Sequence, residues 1–512
     1  MNRYGIKAAA VALASVVLGT ALAACGSSST SSGAPSRLRI AYAWTPSGGL
    51  AIDSDDGKLL RLAGIVETLV DIDAAGAPVP GLASSWHQVD ERTWDFTLRA
   101  GVEFHDGEPL TADAVVTAID HVTSVPALPR TLDGIGMKAQ VLDAGTVRIS
   151  TEHADPVLLL RMSGYNTGIL APKAYESTPP PPIGTGPFVL TGTQADGSLV
   201  VDRNEHYWGG KVALDGAEIR FLSDPTARIS AIAAGDVDIA TLLPATAVAD
   251  LAGQPGFTVR QYPTARSTYL LMNNAAPELS DLRVRQAVSA AIDRNLLLTG
   301  AHDGVGTAAD TIFGGLVPFG SDATPPPADP QRARQLLAEA GYDDAHPLVL
   351  DLWAYPERPE LPDAATVVQR MLADAGIQTT IKIAEAATLD APARRGEFDL
   401  MFSSRNWLFD FPDAGEFLRS DYGCNGSYNL SRVCLPALDQ LLDQLATTTD
   451  TAARAGLLRQ AAEVLATDAA VVPLVHTSAV VGVSNRVTGF VADSFEYDLL
   501  TTTIGIGQGS GR

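Results

Sequence analysis

The stretch Ala364-Ala365-Thr366-Val367-Val368-Gln369-Arg370-Met371-Leu372-Ala373-Asp374-Ala375-Gly376-Ile377-Gln378-Thr379-Thr380-Ile381-Lys382-Ile383 contains a helix, a stop and a strand in succession. Helix-compatible residues run from Ala364 to Ala375, and Gly376 ends the helix. Gln378 to Ile383 then reads as a strand. The same unit stands just before it. A helix from Pro330 to Ala340 turns Leu336 and Leu337 inward and is capped by Gly341, and Leu348 to Leu352 is a strand. After Ser280, the residues Val284, Ala287, Val288, Ala291 and Ile292 fall on one apolar helical face. Helices alternating with strands argue for mixed α/β domains.

The alternation continues toward the N-terminus. Leu38 to Tyr42 is the first strand and Thr93 to Leu98 alternates as a strand, while Thr111 caps a helix from Ala112 to Val122. Glu218 to Phe221 is a strand leading to a helix from about Thr226 to Ala234, stopped by Gly235. Pro179 to Pro182 is a stiff break suited to a chain crossing between domains, and Pro325 to Pro327 is a surface turn.

The first residues have a different character. Arg3 and Lys7 precede an apolar run from Ala8 to Ala23, and Leu22-Ala23-Ala24-Cys25 ends it. A positive start, a short apolar core and small residues before a cut describe a secretory signal. The run is shorter than the ~20 residues a membrane-spanning helix requires. Cys25 directly after the cut resembles the lipobox of bacterial lipoproteins, in which this thiol receives a diacylglycerol. The Ser-rich residues 26–33 form a flexible tether. The expectation is a body anchored by lipid to the extracytoplasmic face of the cell membrane.

Without the signal about 490 residues remain, too many for one core. A hydrophobic fraction of 46% is globular, and a formal net charge of -23 disfavours nucleic acid as a partner. Of three Cys, Cys25 is assigned to the lipid. Cys424 and Cys434 remain in an oxidising compartment, where a bridge would contribute roughly 3 kcal/mol. The competing reading is two buried free thiols.

Several motifs resemble one family. Val79-Pro80-Gly81-Leu82-Ala83-Ser84-Ser85-Trp86, Arg92 to Arg99 and Gly101-Val102-Glu103-Phe104-His105-Asp106-Gly107 follow one another as in its N-terminal signature. Gly184-Thr185-Gly186-Pro187-Phe188, Asn204 to Gly210 and Leu282 to Ala287 follow in the family's order. The chain resembles the family 5 solute-binding proteins, extracytoplasmic receptors of ABC importers for peptides and nickel complexes. The resemblance implies a two-lobed periplasmic-binding-protein-like α/β fold with an extra α/β domain inserted in the first lobe. Lobe one is expected over 37–70, 185–266 and 478–512, the extra domain over 71–184, and lobe two over 267–477.

The resemblance also implies a site. In peptide-binding members a Trp-x-x-Asp segment lines the cleft and its Asp receives the peptide α-ammonium. Trp407 and Asp410 hold those positions here. Arg358, before a helix, resembles the Arg that takes the peptide carboxylate in dipeptide binders. Those members have an aromatic residue two positions later, where this chain has Glu360, so peptide length stays open. Trp44, after the first strand, and Asn273, ending the strand Tyr269 to Met272, are placed to face the cleft. Tyr207 and Trp208 belong to a structural motif of the family. Relatives that bind dipeptides also carry a Cys pair like Cys424 and Cys434.

The expected ligand is a short peptide, delivered by a monomer to an ABC transporter permease in the membrane, with no cofactor and no metal. The alternative within the family is a receptor for nickel or a metal chelate. A secreted hydrolase is a third reading, but the chain lacks a Gly-x-Ser-x-Gly elbow, a His-Glu-x-x-His motif and a phosphate loop.

Overall fold

The computed structural model describes residues 36–408 and 412–507. Cys25 and the tether lie outside the described residues, as do Phe409, Asp410 and Phe411. Among the described residues no helix is long and apolar enough to cross a membrane.

An 11-stranded sheet carries most of the body. From one edge the strands are Ile377–Ile383, Leu348–Ala354, Leu400–Asn406, Phe257–Met272, Val471–Ser484, Ile239–Ala240, Arg37–Tyr42, Gly216–Phe221, Leu199–Arg203 and Phe188–Thr193, with Thr307–Ala308 paired to Val471–Ser484. The helix Glu360–Asp374 makes a parallel crossover between Leu348–Ala354 and Ile377–Ile383, so the opening stretch of the sequence forms a helix and strand of one unit. That helix starts at Glu360, four residues earlier than its periodicity indicates.

Two strands run through both lobes. Phe257–Met272 and Val471–Ser484 pair antiparallel along nearly their whole length. Val472, Leu474 and Val475 enter the core of lobe two, while Ala479, Val481 and Val483 enter that of lobe one. An apolar run buried on both faces suits an interior strand. The expected boundaries at 266/267 and 477/478 therefore fall inside continuous strands, where the register slips between Pro263 and Ser267. Side chains fasten this crossing: Thr264 Oγ1 donates to the Thr477 carbonyl at 3.1 Å, and Ser267 Oγ lies 2.8 Å from His476 Nδ1.

A separate antiparallel sheet, Ala83–Asp90, Thr93–Leu98, Thr146–Ser150 and Lys138–Asp143, is covered by the helix Ala112–Ser124. Its core gathers Phe96, Val115, Ile119, Val147 and Ile149. Thr111 accepts from Ala114 N–H and caps the helix. The chain returns to lobe one at Gly184-Thr185-Gly186. A Cβ at Gly184 would lie 2.1 Å from the Ile65 carbonyl oxygen, so only glycine permits this approach. The neighbouring Glu67 carboxylate receives the Tyr207 hydroxyl, the Trp208 indole and the Thr185 hydroxyl at 2.7–2.9 Å, which makes the Tyr-Trp pair a structural anchor. Cys424 and Cys434 are disulfide-bonded.

Candidate functional site

A cleft of about 610 Å³ opens where the strand crossing meets loops of both lobes. Lobe one contributes Leu242 to Ala245, which follow the short strand Ile239–Ala240. Arg228 holds this loop by donating to the Leu242 carbonyl at 2.6 Å. Lobe two contributes Glu357 to Glu360, between the strand Leu348–Ala354 and its crossover helix. A loop at the C-terminal end of a parallel strand is a common place for ligand groups. Thr264, Arg266 and Thr477 to Val480 come from the crossing strands, and Glu496 from the C-terminal segment.

Backbone strain gathers at this cleft. Leu242 and Glu496 line it with φ of 49° and 62°, and Asp303, at 49°, follows the lining residue His302. Non-glycine residues rarely adopt this conformation, and where they do the surroundings must enforce it. At Glu496 the enforcement is visible: Asp493 accepts the backbone N–H groups of Phe495, Tyr497 and Asp498, folding the segment tightly around it.

Glu496 is the centre of a charge cluster. It takes Arg266 Nη2 at 2.8 Å and Lys58 Nζ at 3.3 Å, with side-chain exposures of only 10% for each cation and 16% for Glu496. Burial alone would push the Glu496 carboxyl up, but Arg266 and Lys58 bring it well below its usual range. Burial, opposed by Glu496, brings the Lys58 ammonium down to about 8. This carboxylate pairs with both cations, and the cluster keeps a net positive charge.

Arg358 differs. Among the described residues no hydrogen bond or ion pair engages its guanidinium, although it is half-buried in the cleft wall. Burial, then the nearby Arg266, lower its pKa from the ordinary value. Its Cζ lies 5.7 Å from the centre of the Trp44 ring, at the outer reach of a cation–π contact. Trp44 is 38% exposed, unusually high for such a side chain in this molecule. Arg358 and Trp44, read from the sequence as site residues, are thus brought together.

Two other sequence candidates are placed elsewhere. Asn273 is 4% exposed, and its amide donates to the carbonyls of Gly396 and Phe398, both at 3.0 Å. It ends its strand by tying down the loop before Leu400 and does not line the cleft, a correction to the expectation from strand position. Trp407 is also buried, packed edge-on against Phe313 at 5.3 Å between centroids within the core of lobe two. The correction there follows from the strand Leu400–Asn406, after which the chain carries Trp407 into the core. Asp410 lies outside the described residues.

Sequence reading missed Lys58, Arg266, Glu496 and His302. No local pattern distinguishes the first three from surface charges. His302 is 4% exposed, its Nε2 is buried without a partner, and burial lowers its pKa, so the ring is neutral at pH 7.

Comparison with known proteins places this arrangement in a family. The model for bacterial extracellular solute-binding proteins, family 5, matches residues 77–429. The probable di/tripeptide-binding protein 5 of Pseudomonas aeruginosa is 28% identical over 84% of this chain and 88% of its own. The structure of NikA from Staphylococcus aureus, in complex with Ni(L-His)2, superposes with a TM-score of 0.82 at 21% identity, over 92% of this chain and all of that one. DppA from Helicobacter pylori, in complex with the peptide STSA, superposes with a TM-score of 0.80 at 22% identity, over 92% of this chain and 98% of its own. Both likenesses are to two-lobed binding proteins and speak to the fold.

Proposed function

This chain belongs to family 5 of the bacterial extracellular solute-binding proteins, and we propose that it is the lipid-anchored receptor that captures short peptides for an ABC importer. Proteins of this family bind substrates for transport, and the chain is not an enzyme. The observation that carries the peptide reading is Arg358, a guanidinium with no partner among the described residues, set in the cleft beside Trp44. A carboxylate is the group that matches a guanidinium in two parallel hydrogen bonds. The C-terminus of a short peptide supplies one, and Asp410 is the proposed receiver of its α-ammonium. The peptide-binding relative supports the same reading. A metal chelate whose ligands carry carboxylates would also satisfy Arg358, and nickel-binding relatives keep it as the second reading.

Calorimetry with di-, tri- and tetrapeptides separates these. Free peptides are expected to bind, N-acetylated ones to bind poorly, and Asp410→Asn to lose most of that discrimination. Binding indifferent to acetylation removes Asp410 from the role. Binding of a nickel complex without any peptide selects the second reading. The membrane anchor rests on Leu22 to Cys25 and the tether after it. Cys25→Ala is expected to release the protein from the membrane fraction, and a variant still membrane-bound and processed as before would remove the lipid from the proposal.

A further inference from the structure

Arg358 is not the sole cleft residue without partners. Glu357, its neighbour, accepts the Ala386 N–H through Oε1 at 2.9 Å, while its buried Oε2 has no partner among the described residues. His302, almost fully buried, has no hydrogen bond at either ring nitrogen among the described residues. Glu360 lines the same cleft and acts electrostatically on His302. A buried acceptor without a donor costs free energy comparable to a lost hydrogen bond. Glu357 Oε2 is one such atom, and His302 Nε2 is a second in the tautomer that carries its proton on Nδ1; on residues from separate elements, they point to an absent donor.

We infer that Glu357, Glu360 and His302 form an acceptor-rich subsite beside Arg358 that takes a cationic hydrogen-bond donor of the ligand, a primary ammonium or a guanidinium. The two carboxylates supply the charge, and the neutral His302 ring supplies an acceptor without repelling a cation. Leu242, Leu243 and Val305 supply apolar wall against which an alkyl stem lies. Arg358 and Glu357 are adjacent in the chain and line one cleft, so the groups they receive are close together on the ligand. On the peptide reading, from which this deepening starts, the donor is the side chain of a C-terminal Lys or Arg whose carboxylate Arg358 holds. Glu360, where dipeptide binders resembling this chain carry an aromatic residue, is part of that selectivity.

The test compares Ala-Lys, Ala-norleucine and Ala-Glu by calorimetry on the full chain in detergent, as wild type, Glu357→Gln and His302→Phe. Wild type is expected to prefer Ala-Lys over Ala-norleucine by about tenfold or more, as a charge-assisted hydrogen bond implies. Glu357→Gln keeps an oxygen for the Ala386 N–H and so keeps its helix start. It is expected to bring the affinities for the two peptides within about threefold of each other. His302→Phe is expected to shrink the preference in the same direction. Equal binding of the two peptides by wild type, or a preference that survives in Glu357→Gln, overturns the subsite while peptide binding stands. If no peptide binds, the peptide reading fails and the subsite is judged by cadaverine against 1,5-pentanediol in thermal unfolding. A midpoint raised by cadaverine alone, and not in Glu357→Gln, supports the subsite; no rise in wild type overturns it.

Discussion

Two sets of charges share the cleft and are treated oppositely by the fold. Lys58 and Arg266 are bound to Glu496 within hydrogen-bond reach, whereas Arg358 a short way along the wall has no partner among the described residues. Charges that are desolvated but paired hold a structure in one arrangement. A partly desolvated charge left without a partner is costly, and Arg358 is therefore the proposed contact for a ligand carboxylate. The first set joins a lobe-one helix, through Lys58, to a crossing strand and the C-terminal segment, whose Arg266 and Glu496 line the cleft. The second waits on a loop of lobe two.

The largest effect is expected at Glu496. Glu496→Gln keeps the shape and removes the charge, leaving two buried cations facing each other. A stability loss of about 3 kcal/mol is expected in urea unfolding. A loss below about 1 kcal/mol would mean that the cluster is solvated and its role as a brace is wrong.

The strand crossing sharpens the same contrast through pH. Burial brings His476 down to about 4, with Asp310 and Asp322 acting weakly against it and Ser267 on Nδ1. The unfolded chain takes up a proton near the usual pH of about 6.5, while the folded ring stays neutral. Stability is therefore present above pH 6.5 and is lost as pH falls toward 4, by about 3 kcal/mol from this group. His476→Asn is expected to flatten the wild-type slope over that window. An unchanged slope would show that the ring titrates normally.

Arg358→Ala gives the smallest of the three effects and the most selective. Folding stability is expected to stay within about 0.5 kcal/mol, because no internal pair is broken. Peptide affinity is expected to fall about 30-fold, near 2 kcal/mol, by calorimetry. A destabilised variant that still binds peptides would reverse the assignment of the two sets.

Much of the local structure was legible beforehand. Thr93–Leu98 has the expected bounds, Thr111 caps its helix, and Gly235 closes another at φ 74°. These follow from alternation, a capping oxygen and a left-handed residue, all matters of nearest neighbours in sequence. Of the long strands Phe257–Met272 and Val471–Ser484 only Tyr269 to Met272 is legible in sequence, since their length depends on pairing with each other. Asn273 was misread for a related reason: a polar residue at a strand end faces a cleft or a neighbouring loop according to what the fold places there. Arg358 and Trp44 were legible by resemblance, and their proximity was not.

The amino-acid order by itself determined the alternating elements and the motifs that mark the family. Tertiary structure alone decided which charges are spent inside the protein. Lys58 and Glu496 stand 438 positions apart in sequence, Arg266 and Glu496 230, and nothing local distinguishes them from surface residues. Electrostatic compensation depends on distance and exclusion of water, and both are set only when the crossing strands bring the C-terminal segment against the first helix.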